Sequence, residues 1–209
     1  MKGSARHPLT GQQITLHSFD LCDYDKTEHL FAAEHFDGRI LLDLGPETER
    51  QAGRAGEDLR DVGVVLLTHG HPDHVSGLPL LARSWAASDV PLIVAGPPSA
   101  LDLVRDWLAP HHPVELRELR AGDVLTWPTP ATTGDGSPGQ YTMRALASSH
   151  GVGDDALARD ALLYDVTAPD GSRLLYATDT GPLPSRTVED VSGARFDVVL
   201  LEETFGSVT

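Results

Sequence analysis

Apolar positions along the chain fall into short runs, most of them without a helical period. Residues 29–36 (HLFAAEHF) and 39–45 (RILLDLG) flank Asp37-Gly38, a pair that favours a tight hairpin turn, so strand–turn–strand is expected there. Residues 47–57 are polar and alanine-rich and read as a short surface helix. Residues 62–68 (VGVVLLT) are β-branched and leucine-rich, the composition of a strand buried on both faces. A helix is expected over 75–87 with Pro79 near its start, then a strand at 92–95. A second helix, over 99–108, follows the start signal Pro97-Pro98. Further strands are expected at 114–119, 124–127, 141–146, 162–167, 173–178 and 198–201. Turns at Ala121-Gly122-Asp123 and Pro169-Asp170-Gly171 join neighbouring pairs. Residues 128–139 (PTPATTGDGSPG) read as a loop, and residues 1–15 as a polar leader or cloning remnant ahead of a domain spanning 16–209. Strands with interposed helices and hairpins define an α/β architecture of two sheet layers covered by helices.

Composition narrows the class. The 209 residues suit one domain, and 40% apolar with 22% charged residues is ordinary for a globular chain. Cys22 is the single cysteine, which excludes an intrachain disulfide and points to a reducing, cytoplasmic setting. No run of 18 apolar residues exists to span a membrane, and the first twenty residues lack the apolar core of a secretory signal. A net charge of −15 argues against extensive nucleic-acid binding, which needs clustered Lys and Arg, and leaves a small-molecule substrate. A homodimer is compatible with this composition.

The chemistry concentrates in Thr68-His69-Gly70-His71-Pro72-Asp73-His74. Four metal-competent side chains fall within six residues, directly after a buried strand. Imidazole suits zinc and related ions, and a carboxylate can complete a second site. Gly70 and Pro72 disfavour a helix interior, so the segment is expected as a loop from which the side chains fan into one cleft.

Residues 66–81 (LLTHGHPDHVSGLPLL) resemble the first metal motif of the metallo-β-lactamase fold hydrolases. Two further motifs follow in order: His150 in ALASSHG resembles the third-motif histidine, and Asp179 in LLYATDTG the metal-bridging aspartate. The resemblance runs from about residue 29 to residue 205. It implies a four-layer αββα sandwich, here without its C-terminal helix and strand. It also implies a metal-bound hydroxide as nucleophile, one cation on His69, His71 and His150, a second on Asp73 and His74, and Asp179 between them. Zn2+ is the expected cation, as one or two ions, with Mn2+ or Fe as alternatives. Asp73 is the expected catalytic base. Asp43, at the end of RILLDLG, resembles the buried aspartate that supports the metal loop from behind the ligands.

Residue details point to one branch. His150 is followed by Gly-Val-Gly in place of the Thr-Pro-Gly-Ser of the thioesterase, lactonase and lactamase branches. GLPLL, DTGPLP and VVLLEETF are similar to the phosphodiesterase branch, which includes ribonuclease Z and the cyclic phosphodiesterase of phosphonate breakdown. Glu202 stands where ribonuclease Z carries a histidine, and no long inserted arm for gripping tRNA is seen. A weaker resemblance links RSWAASDVPLIVAGPP and LLYATDTGPLP to a domain joined to cobinamide kinase in some actinobacterial chains. The expected activity is therefore hydrolysis of a small phosphodiester or cyclic phosphate. An ester, lactone or thioester hydrolase, or a non-catalytic metal-binding domain, is the alternative. The family's final histidine ligand has no counterpart before Thr209; Glu202 and Glu203 could supply oxygen ligands in its place.

Overall fold

A computed structural model describes residues 2–6, 13–20, 27–33, 39–56, 58–85, 91–111, 113–132, 138–150 and 155–201. Glu202, Glu203, Cys22, His35 and His112 lie outside the described residues, and His29 is described by its backbone alone.

Two sheets form the centre. The first holds β1 (Lys2–Arg6), β2 (Gln13–Asp20), β3 (Thr27–Ala33), β4 (Arg39–Leu42), β5 (Val62–Leu66), β6 (Leu92–Gly96) and β7 (Val114–Glu118) in that order. Its first four strands pair antiparallel, and β4 through β7 run parallel. The second holds β8 (Val124–Thr132), β9 (Pro138–Ala147), β10 (Leu162–Thr167), β11 (Arg173–Ala177) and β12 (Val198–Leu201), in the order β12-β11-β10-β9-β8. Within it β9 and β11 are both antiparallel to β10, so they end at the same rim.

Alternation along the strands explains the layers. Ile40, Leu42, Val64 and Leu66 face Tyr141, Met143, Tyr164 and Tyr176 between the sheets. The opposite faces of β4–β6, through Leu41, Val65 and Val94, pack on α3 (Leu78–Trp85) and α4 (Pro98–Leu108). On the far side Leu163, Leu175 and Ala177 meet Val191 of α5 (Ser185–Val191) and Phe196. The expected αββα order is thus observed. Strands β5 and β6 are apolar throughout because both faces are buried.

Two local expectations differ. The helix expected over 75–87 is two pieces, α2 (Pro72–Val75) and α3, parted at Ser76-Gly77. Gly77 bonds its N–H to Leu44 O at 2.9 Å, and a Cβ there would lie 2.3 Å from Gly45 O. The chain must therefore press against the exit of β4, which a continuous helix could not do. Pro79 falls in the first turn of α3, where its missing N–H costs nothing. The loop expected over 128–139 is partly strand: β8 runs on to Thr132 through a register irregularity, and β9 starts at Pro138. The expected surface helix is α1 (Thr48–Ala55), whereas α5 and β1 had no apolar period to announce them.

Candidate metal centre

Strand ends converge on one rim. His69 and His71 follow β5, His74 lies on the single-turn α2, His150 follows β9, and Asp43 and Asp179 follow β4 and β11. Both aspartates have left-handed backbones, φ 59° and 50°. Asp tolerates this region better than most residues, so each chain can turn sharply off its strand with the carboxylate at the rim.

Two overlapping groups result. His69, His71 and His150 form one; His69, His74 and Asp179 form the other, and the ligand atoms of each lie within 4.8 Å of one another. In the first, His71 Nδ1 lies 2.8 Å from His69 Nε2 and 3.3 Å from His150 Nε2. In the second, His74 Nε2 lies 2.7 Å from Asp179 Oδ2. Asp73 stands beside the second group, its Oδ2 3.8 Å from His74 Nε2, with 35% of its side chain exposed.

Behind these two groups sits Asp43, fully buried. Its carboxylate accepts from Thr68 N at 2.8 Å, Thr68 Oγ1 at 2.9 Å and Tyr176 OH at 3.1 Å, and it meets His74 Nδ1 at 2.9 Å. The Thr68 hydroxyl also lies 2.9 Å from His69 Nδ1. These contacts assign tautomers. His74 donates Nδ1–H to Asp43. Because Thr68 donates to Asp43, its oxygen accepts Nδ1–H of His69. Nε2 of His69 is then a lone pair turned into the cluster, and Nε2 of His74 faces Asp179 Oδ2 with a proton that a cation would have to displace.

The residues fit a divalent cation. His69 Nε2 and His71 Nδ1 lie only 2.8 Å apart, a separation that calls for a proton or a cation between them. His74 Nε2 is buried with no aligned hydrogen-bond partner among the described residues, yet a carboxylate oxygen stands 2.7 Å away. Three imidazoles around one point, and imidazole with carboxylate around the next, are the donor sets that bind zinc.

Electrostatics without the metal point the same way. Burial pushes the His74 pKa down, but the Asp43 charge and the contacts with Asp179 outweigh it and raise it to about 10. Burial, helped by the His74 charge, lowers His69 to about 3. The metal-free protein therefore keeps a proton on His74 where a cation would otherwise balance two carboxylates.

The consequence for stability can be signed. The native state binds more protons than the unfolded chain at His74 between the ordinary imidazole value of 6.5 and about 10, so stability falls as pH rises through that interval. At His69 the unfolded chain binds more protons between about 3 and 6.5, so stability falls as pH drops there. Thermal melts in chelator are expected to peak near neutrality, and His74→Gln to flatten the alkaline limb. An alkaline limb identical in His74→Gln and wild type would contradict the assignment.

Sequence reasoning missed the parts played by Thr68 and Tyr176, and it missed Asp155, whose Oδ2 lies 2.8 Å from His71 Nε2. Thr68 could have been suspected from its place beside the motif. Tyr176 and Asp155 had no spacing signal.

An αββα sandwich with a histidine–aspartate cluster at the strand ends defines a class of metal-binding proteins. The Beta-lactamase superfamily domain matches residues 38–207, and the chain belongs to that superfamily. It is 39% identical over 97 residues to ribonuclease Z of Bradyrhizobium diazoefficiens, covering 42% of this chain and 32% of that protein. It is also 36% identical over 88 residues to ribonuclease Z of Methanopyrus kandleri, covering 42% and 31%. The chain thus spans about a third of the length of these curated relatives. Among solved structures, a diphosphatase of the PhnP family superposes with TM-score 0.57 at 18% identity, covering 86% of this chain and 62% of that one. The metallo-β-lactamase fold protein YhfI of Bacillus subtilis gives 0.53 at 17%, covering 75% and 56%. These two show the shared fold. No helix among the described residues is long and apolar enough to cross a membrane.

Proposed function

We propose that the protein is a metal-dependent hydrolase acting on a small phosphodiester or cyclic phosphate. The observation that carries this reading is the pair of overlapping histidine–aspartate groups sharing His69 at one rim. Relatives named ribonuclease Z and a structural neighbour titled a diphosphatase support a phosphoryl substrate. The net charge of −15 supports a small one over a polynucleotide. Zinc is the cation we assign, and the lone cysteine fits a cytoplasmic setting.

A divalent cation in these groups supplies Lewis acidity and makes water a competent nucleophile at neutral pH. His69, His71 and His150 would hold one ion; His74 and Asp179, flanked by Asp73, would hold a second. Asp43 and Thr68 keep the His69 and His74 rings turned with Nε2 inward. Asp73 is the half-exposed carboxylate beside the buried ligands, so it can meet the attacking water and take its proton at Oδ2.

The test is a substrate panel on the zinc- or manganese-loaded protein. Turnover of bis(4-nitrophenyl) phosphate is expected, and its loss in His71→Ala. Hydrolysis confined to acyl esters, lactones or thioesters would overturn the phosphodiester reading, and metal binding without any turnover would overturn the enzyme reading.

A further inference from the structure

We propose that Asp155 is a positioning residue for His71, holding the ring so that Nδ1 faces the other histidines. The inference rests on the metal-centre reading above and adds to it a residue outside the sequence motifs, 84 positions from its partner.

The geometry is specific. The two nitrogens of an imidazole lie on opposite sides of the ring, so anchoring one aims the other. Asp155 Oδ2 engages His71 Nε2 at 2.8 Å, while His71 Nδ1 lies 2.8 Å from His69 Nε2 and 3.3 Å from His150 Nε2. His71 needs such an anchor more than its neighbours do. The His69 and His74 rings are buried and tied to Thr68 and Asp43, whereas a quarter of the His71 side chain is exposed. Without a partner at Nε2 the ring could turn, or its proton move to Nδ1, and either change withdraws the lone pair from the cluster.

Asp155 is itself held. Its other oxygen, Oδ1, accepts from Leu157 N at 3.0 Å, which fixes the carboxylate plane. Leu157 O accepts from Gly70 N at 2.8 Å, one residue from His71. A Cβ at Gly70 would crowd that oxygen at 3.2 Å, so glycine eases this approach. Further along, Asp160 accepts from Ser99 at the start of α4, and Leu162 N bonds to Thr68 O at 2.8 Å. The segment from Asp155 to Leu162 is thus stitched to the first sheet's rim at several points, and Asp155 sits on a braced support.

Two readouts on the full chain test this. Long-range proton–nitrogen spectra of the metal-free protein, at a pH above the ordinary imidazole range, are expected to show His71 as the Nε2–H tautomer. In Asp155→Ala, Nδ1–H is expected to become populated. Competition for zinc against a chromophoric chelator is expected to show about 10- to 100-fold weaker binding in Asp155→Ala. Asp155→Asn keeps an oxygen acceptor without the charge, and is expected to hold the tautomer and lose less affinity. A merely structural role would lower the melting midpoint without moving the tautomer. Wild type that binds zinc, with tautomer and affinity unchanged in Asp155→Ala, would overturn the inference. Wild type that binds no zinc would contradict the metal reading instead, and the tautomer spectrum would still decide what Asp155 does to His71.

Discussion

Asp43→Ala is expected to cost about 3–5 kcal/mol, because it strips a buried charged network of its centre. Four donors from three residues converge on this one carboxylate: Thr68 N, Thr68 Oγ1, Tyr176 OH and His74 Nδ1. Removing it leaves each without its acceptor in a site closed to water, and leaves a buried imidazolium short of one of its two balancing charges. For a domain of this size the melting midpoint should fall by about 6–20 °C. The measurement is thermal unfolding in chelator, so that metal affinity does not contribute. Tyr176→Phe removes one neutral donor and is expected to cost only about 1 kcal/mol. Equal and small losses in the two variants would show that Asp43 is not the hub these contacts describe.

Asp73→Ala is expected to behave in the opposite way, sparing the fold and reducing turnover. Its side chain is 35% exposed at the rim, so truncation opens no cavity in the core. If it takes the proton from the attacking water, its loss lowers kcat by about 100- to 10,000-fold on bis(4-nitrophenyl) phosphate. Steady-state kinetics on the metal-loaded variant, with its zinc content measured alongside, check this. A kcat close to wild type at full metal content would reject Asp73 as the base. A fall in kcat matched by an equal loss of metal would instead make it a ligand.

Asp43 and Asp73 also show what could be read from the chain before its fold. The stretch 69–74 was legible as a candidate site because its histidines and aspartate are neighbours in sequence and follow an uninterrupted apolar run. That run is apolar because β5 is covered on both faces, by Tyr164 and Tyr176 on one and by Leu78 and Leu101 on the other. His150 and Asp179 were legible only in order after the first motif, since one histidine or one Asp-Thr-Gly at a strand end says little alone. Their convergence depends on β9 and β11 running the same way past β10, a fact of topology. Asp155 and Tyr176 were illegible for the same reason: each reaches the site across a distance set by sheet packing. The break between α2 and α3 was missed because a backbone carbonyl, Gly45 O, sets it, and carbonyls carry no sequence signature. Helix α5 was missed because its one fully buried residue is the polar Thr187, whose hydroxyl bonds to Ala147 O at 2.7 Å, and Val191 is only partly buried.

His69 is the one side chain common to both groups, so it offers the most direct test of the centre. The measurement is zinc content per chain by elemental analysis after equilibration with excess metal and desalting, in wild type and in His69→Ala. Wild type is expected to retain about one to two ions per chain, and His69→Ala to lose most of them while remaining folded by circular dichroism. A folded wild type that retains no zinc, manganese or iron, or a His69→Ala variant that retains as much as wild type, would contradict the account.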